Sequence, residues 1–143
     1  DFPKSASQHA VWCLSDNLPA SSIYDADEKN VRLLRQLVCK IKGEQMPWYM
    51  LSYQKDSTRL FSNIPERLLG TVEYYLRNSA VVTINIRSST GEVVTVLAKE
   101  SGLGSGMHKL PVDLNVKGWP KGKYDVMIYT DYATLVSKST FIL

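Results

Sequence analysis

Apolar and polar residues alternate along most of the second half of the chain. The clearest example is the run from Val82 to Arg87, in which Val82, Ile84 and Ile86 alternate with polar residues. Successive side chains of a strand point to opposite faces, so this pattern predicts a half-buried strand. Further strands are predicted over residues 70–78, 92–99, 109–116, 123–131 and 135–143. Short strands at this spacing predict an antiparallel, immunoglobulin-like β-sandwich over residues 65–143.

Glycine and proline mark the turns between these strands. Gly91 follows "SST" where a hairpin requires a positive φ, and Gly106 ends the glycine-rich stretch "GLGSG", which predicts a flexible loop. Trp119-Pro120 and Gly122 predict a connection with two bends before the strand that begins near Tyr124. We therefore interpret Gly91, Gly106, Pro120 and Gly122 as structural turn residues.

The first half of the chain contains the strongest helix signal. Asp25 and Glu28 resemble a capping box and Gly43 is a stop signal, so a helix is predicted over about residues 26–42. At 100° per residue one face is apolar, and its members are Val31, Leu34, Leu37, Val38 and Ile41. We expect this face to pack on its own domain; the alternative is a partner or membrane surface.

Short apolar runs flank this helix. Residues 9–14 predict a strand or a buried lead-in after a polar leader, and residues 46–54 predict a strand. A turn over 55–58 and a second apolar segment over 59–65 follow. The expected organisation is a strand–helix–strand extension over residues 1–64 and a sandwich over 65–143.

The chain has two cysteines, Cys13 and Cys39. Cys39 falls among the polar positions of the helix, so we expect it to pair with Cys13 in a disulfide, which would stabilise the fold by roughly 3 kcal/mol and imply an oxidising compartment. The alternative is two unpaired thiols in a reducing cytoplasm.

The net charge, the apolar runs and the first residue of the chain limit which partners and which cellular locations we expect. A net charge of +3 without a strongly basic half argues against nucleic acid. No apolar run is long enough for a transmembrane segment. The chain begins at Asp1 rather than Met, which fits a processed mature chain or a fragment of a larger precursor. Both are compatible with an exported protein in the periplasm, at the cell surface or secreted.

The stretch "VEYYLRNSAVVTINIRSSTGEVVTVL", with the later "SGMHKLPVDL" and "WPKGKYDVMIYTD", resembles three bacterial groups. These are the immunoglobulin-like domains related to the flagellar hook-cap protein, the C-terminal sorting domains of the Bacteroidetes type IX secretion system, and small secreted Bacteroides β-sandwich proteins. The resemblance covers residues 68–143 and is carried by Val82, Ile84, Ile86, Gly91, Val93, Val94, Gly106, His108, Pro120, Gly122 and Tyr124. It implies an exported or surface β-sandwich module.

No catalytic constellation is recognisable. His9 lies in the leader, His108 follows the glycine-rich loop, and neither has a partner at a spacing typical of a triad. The acidic residues lack the spacing of a cation-binding loop, so we predict no metal and no cofactor. The aromatic residues are the remaining candidates for binding a protein or a sugar: Trp48, Tyr49, Tyr53, Tyr129 and Tyr132.

The sequence therefore predicts a non-catalytic structural or protein-interaction module that presents a sandwich face or edge to a protein partner or to another copy. The alternatives are a carbohydrate-binding module and a C-terminal accessory or sorting domain of a larger secreted protein.

Overall fold

The computed structural model describes residues 2–54 and 64–143. The chain divides into two compact units, Asp1–Thr71 with Pro111–Gly118, and Val72–Leu110 with Trp119–Leu143. The turn expected at 55–58 and nearly all of the apolar segment expected at 59–65 lie outside the described residues.

Two α-helices precede the strands. The first, α1, spans Lys4–Ser15, and the second, α2, spans Arg32–Lys42. Short 3₁₀ turns at Ala20–Ser22 and Glu28–Asn30 connect them. No helix within the described ranges combines the length and the apolar character needed to cross a membrane.

Seven strands follow in the described residues and form two sheets. The strands are β1 Tyr49–Tyr53, β2 Pro65–Leu76, β3 Ala80–Ser88, β4 Val93–Leu103, β5 Gly106–Asn115, β6 Lys123–Thr130 and β7 Thr134–Ile142. One sheet has the order β1-β2-β5 and the other has the order β4-β3-β6-β7. The protein is mainly β with two antiparallel sheets, so the predicted β-sandwich class is confirmed.

The alternating residues of the second half form the core of the four-stranded sheet. Val82, Ile84 and Ile86 of β3 are fully buried. Ile84 lies opposite Ile128 of β6, and Ile86 lies opposite Val126. The period-2 pattern therefore identified the buried face of β3 and β6 correctly.

The first unit has a separate apolar cluster built mainly from its helices. Its buried members are Ala6, Ala10, Cys13, Ile23, Val31, Leu34, Val38 and Met50. Three of these residues, Ala6, Ala10 and Cys13, recur along α1 at helical spacing. Their small side chains allow α1 to approach its neighbours closely.

The polar leader and the strand considered for residues 9–14 are wrong, because residues 4–15 form α1. Small residues at positions 6, 10 and 13 produce only a weak hydrophobic signal, although their spacing is helical. The extension is thus helix–helix–strand.

The predicted helix over about 26–42 is present, but its start and its buried face differ. Asp25 and Asp27 cap the 3₁₀ turn rather than α2, since their carboxylates accept hydrogen bonds from the backbone N–H groups of Asp27 and Lys29 respectively. Gly43 ends α2 with φ 69°. The buried face is centred on Arg35 and Cys39 as well as Val38, whereas Leu33, Leu37 and Ile41 are exposed.

The division into units also differs from the boundary expected after residue 64. β1 pairs with the first part of β2, from Pro65 to Gly70. Because of this pairing, the first part of β2 belongs to the first unit, although the sequence assigned it to the sandwich. The glycine-rich loop is likewise shorter than expected, because β4 continues to Leu103 and β5 begins at Gly106.

Candidate interaction surfaces

The predicted disulfide is absent, and Cys13 and Cys39 are both buried free thiols. The Cys13 thiol lies 3.4 Å from the carbonyl oxygen of Pro19 and 3.6 Å from Oγ of Ser22, so its hydrogen bonds go to the segment after α1. Burial raises the pKa of both thiols, which keeps them protonated and unreactive. The placement of Cys39 on the polar face of the helix was also wrong, because α2 turns its side chain into the unit.

The aromatic residues near β1 contact one another and their own unit. Trp48 and Tyr49 have ring centroids 5.3 Å apart in an edge-on arrangement, and Tyr49 is buried. The Trp48 ring also lies against the backbone of β2, because a Cβ added to Gly70 would lie only 2.8 Å from Trp48 Cε3. Trp48 and Tyr49 therefore contribute to packing at the start of the three-stranded sheet.

Tyr53 belongs to a second aromatic group, with His9 of α1. Their rings stack with centroids 6.4 Å apart, and the His9 ring meets Trp12 edge-on at 5.1 Å. Burial raises the pKa of Tyr53 to about 12 and lowers the pKa of His9. Within the described residues, Nδ1 of His9 is buried without a hydrogen-bond partner. His9 is thus a half-buried residue of α1 rather than part of a mobile leader.

Tyr129 and Tyr132 lie in the second unit, each beneath a cation. The guanidinium of Arg87 is 5.6 Å from the centroid of Tyr129, and Nζ of Lys99 is 5.1 Å from that of Tyr132. Tyr132 remains largely exposed. Trp48, Tyr49 and Tyr53 belong to the first unit and Tyr129 and Tyr132 to the second. Sugar binding stays a prediction.

The predicted turn residues occupy connections in the second unit. Gly91 has φ 86° between β3 and β4, and its N–H donates to the carbonyl oxygen of Ser88. Pro120 and Gly122 lie between β5 and β6, where the Tyr124 hydroxyl donates to the Pro120 carbonyl oxygen at 2.6 Å. Gly106 begins β5, and nearby His108 stacks on Tyr74 at 5.4 Å.

An open polar groove of about 470 Å³ lies in the first unit. Its lining includes Tyr24, Arg67 and Asp113. Two nitrogens of Arg67 donate to the two carboxylate oxygens of Asp113, at 2.8 and 2.6 Å. This hydrogen bonding holds the pKa of Asp113 below its usual range. Arg67 and Asp113 satisfy each other, so this ion pair offers little to a ligand.

Arg35 of α2 is a buried arginine, although it lies outside the apolar face that the sequence predicts for this helix. Its side chain is 2% exposed, and Nη2 donates to the carbonyl oxygens of Pro47 and Tyr49 at 2.9 and 2.8 Å. Nη1 lies 3.7 Å from a carboxylate oxygen of Glu28. The guanidinium therefore ties α2 to the chain entering β1, and it accounts for the orientation of the helix.

Two exposed apolar surfaces remain. The first is the β4 edge, which we define as Val93, Val94 and Val96, with side chains 41–59% exposed at the end of the four-stranded sheet. The second is the α2 ridge, which we define as Leu33, Leu37 and Ile41, with side chains 54–70% exposed. The sequence indicates the four-residue spacing of the α2 ridge. It does not indicate which positions of α2 are buried and which are exposed.

In the described part of the chain, no group of three or more His, Cys, Asp or Glu residues is arranged to hold a metal ion. Comparisons of the chain with protein family models, with curated proteins and with solved structures found no match.

Proposed function

We propose that this protein is a non-catalytic interaction module that binds an extended segment of a protein partner along β4. The observation that carries the proposal is the exposed valine run of the β4 edge. Backbone N–H and C=O groups on the outer side of an edge strand can pair with an added strand, and neighbouring side chains then select the sequence.

The two ends of the four-stranded sheet differ in charge. The first half of β4, from Val93 to Leu97, contains no charged residue, and the charged residues of this strand, Lys99 and Glu100, lie in its second half. In β7 the charged residue Lys138 lies at the centre of the strand. A lysine on an edge strand opposes pairing with another chain, because pairing would bring its charge next to the added strand. The charge pattern therefore favours the uncharged first half of β4 as the binding segment.

The irregular pairing between β3 and β4 supports binding of one specific partner segment, rather than open-ended stacking of copies of this chain along β4. The register shifts between Ile86 and Arg87, and again between Ile84 and Asn85, where β4 has extra residues. Bulges of this kind increase the local twist of a strand. A single twisted segment fits such an edge better than a flat array of copies does.

The chemistry of the β4 edge also suggests what the partner presents. Valine side chains exposed on β4 favour β-branched or aromatic residues at matching positions of the added strand. The partner is accordingly an extended apolar segment with few charges.

The test is selection of binding peptides from a random library, followed by mapping with amide hydrogen exchange. We expect bound peptides to protect the amides of residues 93–97, and Val96→Lys to weaken binding about tenfold, equivalent to about 1.4 kcal/mol. Leu135→Lys on β7 is the matched control, since Leu135 is also an exposed apolar residue of an edge strand. Protection at β7 instead, or equal binding by Val96→Lys and wild type, would contradict the proposal.

Export stays a prediction. Because the thiols are free, support for an oxidising compartment no longer comes from a disulfide, and export rests on the resemblance to secreted and surface modules. The immunoglobulin-like topology and a role as the accessory domain of a larger protein are proposals that rest on the same resemblance.

A further inference from the structure

The α2 ridge is an apolar surface on a helix that is otherwise well packed. Leu33, Leu37 and Ile41 are spaced four residues apart, so they form one row along the helix. α2 is about 16 Å long. α1, which contacts α2, also exposes Val11 and Leu14.

A row of polar and basic residues lies directly beside the ridge. Its exposed members, Arg32, Gln36 and Lys40, are also spaced four residues apart, and Lys29 precedes them. Residues 29–43 contain no Asp or Glu. Among the described residues, no carboxylate forms an ion pair with Lys29, Arg32 or Lys40.

The other two cations of this segment are already engaged. Arg35 bonds to backbone carbonyls inside the unit, and Lys42 donates to the carbonyl oxygen of Leu18 and lies 3.3 Å from Glu44. The cations left at this surface are therefore Arg32 and Lys40 on α2 and Lys29 in the 3₁₀ turn before it. The carboxylates nearest in the chain, those of Asp25 and Asp27, accept backbone hydrogen bonds in the segment before α2.

We propose that α2 binds the surface of an anionic lipid bilayer, with the α2 ridge inserted among the acyl chains and the basic row at the headgroup phosphates. This distribution, an apolar stripe beside a basic one, is typical of helices that lie in a membrane interface. It is a second surface, independent of the β4 edge.

Charge argues against a second copy as the occupant. If two copies packed their ridges antiparallel about a twofold axis, Arg32 of each would lie near Lys40 of the other. Like charges at this spacing destabilise a helix pair. Phosphates of anionic lipids complement the same charges.

The experiment is sedimentation of the full chain with unilamellar vesicles, either of phosphatidylcholine alone or with part of it replaced by phosphatidylglycerol. Each basic residue near an anionic surface contributes about fivefold to binding, so the three together predict about 100-fold preference for the anionic vesicles. High salt is expected to remove most of this preference.

Two variants separate the apolar and the basic contributions. Leu37→Gln with Ile41→Gln should reduce binding at least about tenfold, because two side chains no longer enter the apolar layer. Arg32→Gln with Lys40→Gln should reduce the preference for anionic vesicles about 25-fold. All these positions are exposed, so circular dichroism should show an unchanged fold.

The matched controls are Leu135→Gln, which removes an exposed apolar side chain of β7, and Lys138→Gln, which removes an exposed cation of the same strand. Both should bind as wild type does. Absence of binding to anionic vesicles would overturn the proposal, as would equal losses in the α2 variants and the controls. Concentration-dependent dimerisation that Leu37→Gln abolishes, without lipid binding, would also overturn it and would assign the ridge to self-association.

Discussion

At the scale of single residues, Arg35 joins α2 to the segment that enters β1. Two backbone carbonyls, those of Pro47 and Tyr49, receive its hydrogen bonds in a buried setting. Nε of the same guanidinium is buried without a partner among the described residues, and burial lowers its pKa. Such a group stabilises the fold only while its carbonyl partners stay in place.

Replacement of Arg35 tests this role. We expect Arg35→Met to lower the free energy of unfolding by about 2–4 kcal/mol, because two buried carbonyls lose their donor. Arg35→Lys should cost about 1–3 kcal/mol, since one ammonium group cannot reproduce the planar fork. Urea unfolding followed by tryptophan fluorescence measures both.

Arg32→Met is the control, because Arg32 is exposed one turn away on the same helix, and its change should stay within about 0.5 kcal/mol. Equal stability of Arg35→Met and Arg32→Met would show that the buried hydrogen bonds add no net stability.

At the scale of elements, α1 and α2 each bury one cysteine, so the thiols report on how these helices are packed. The buried face of α1 consists of small residues, Ala6, Ala10 and Cys13. A larger side chain at the centre of this face would not fit without moving the helix.

We predict that Ala10→Leu raises the rate of thiol alkylation in the native protein about tenfold, because overpacking costs at least about 1.4 kcal/mol of local stability. Gln8→Leu adds the same side chain at an exposed position of α1 and should leave the rate unchanged. Intact mass after timed alkylation gives the rate. Rapid labelling of the wild type would contradict the burial of both thiols.

At the scale of the whole molecule, stability should depend on pH through His9. Burial lowers the pKa of His9 below the ordinary 6.5, so the unfolded chain binds the proton more tightly than the folded chain does. The free energy of unfolding should therefore fall as the pH falls below 6.5, until the lowered pKa is reached.

Urea titrations above pH 6.5 and about one unit below it test this dependence. His9→Phe keeps an aromatic ring against Trp12 and Tyr53 but has no proton to bind, so its stability should change less over the same interval. His108→Phe, at the other histidine, is the matched control and should retain the wild-type loss. If wild type and His9→Phe showed the same pH dependence of stability, His9 would not be its cause.

The sequence alone determined the mainly β class, the buried face of β3 and β6, and the end of α2 at Gly43, since each depends on local periodicity or on backbone conformation. Tertiary structure alone decided which part of the wide apolar arc of α2 is buried. Hydrogen bonds from Arg35 to Pro47 and Tyr49, distant in the chain, favour a face that includes Arg35 and Cys39. The exposure of Leu37 and Ile41 follows from such long-range packing, which a periodic pattern does not encode. The helical spacing in residues 4–15 is present in the sequence, but small residues make it a weak signal, and packing on the rest of the unit reveals it.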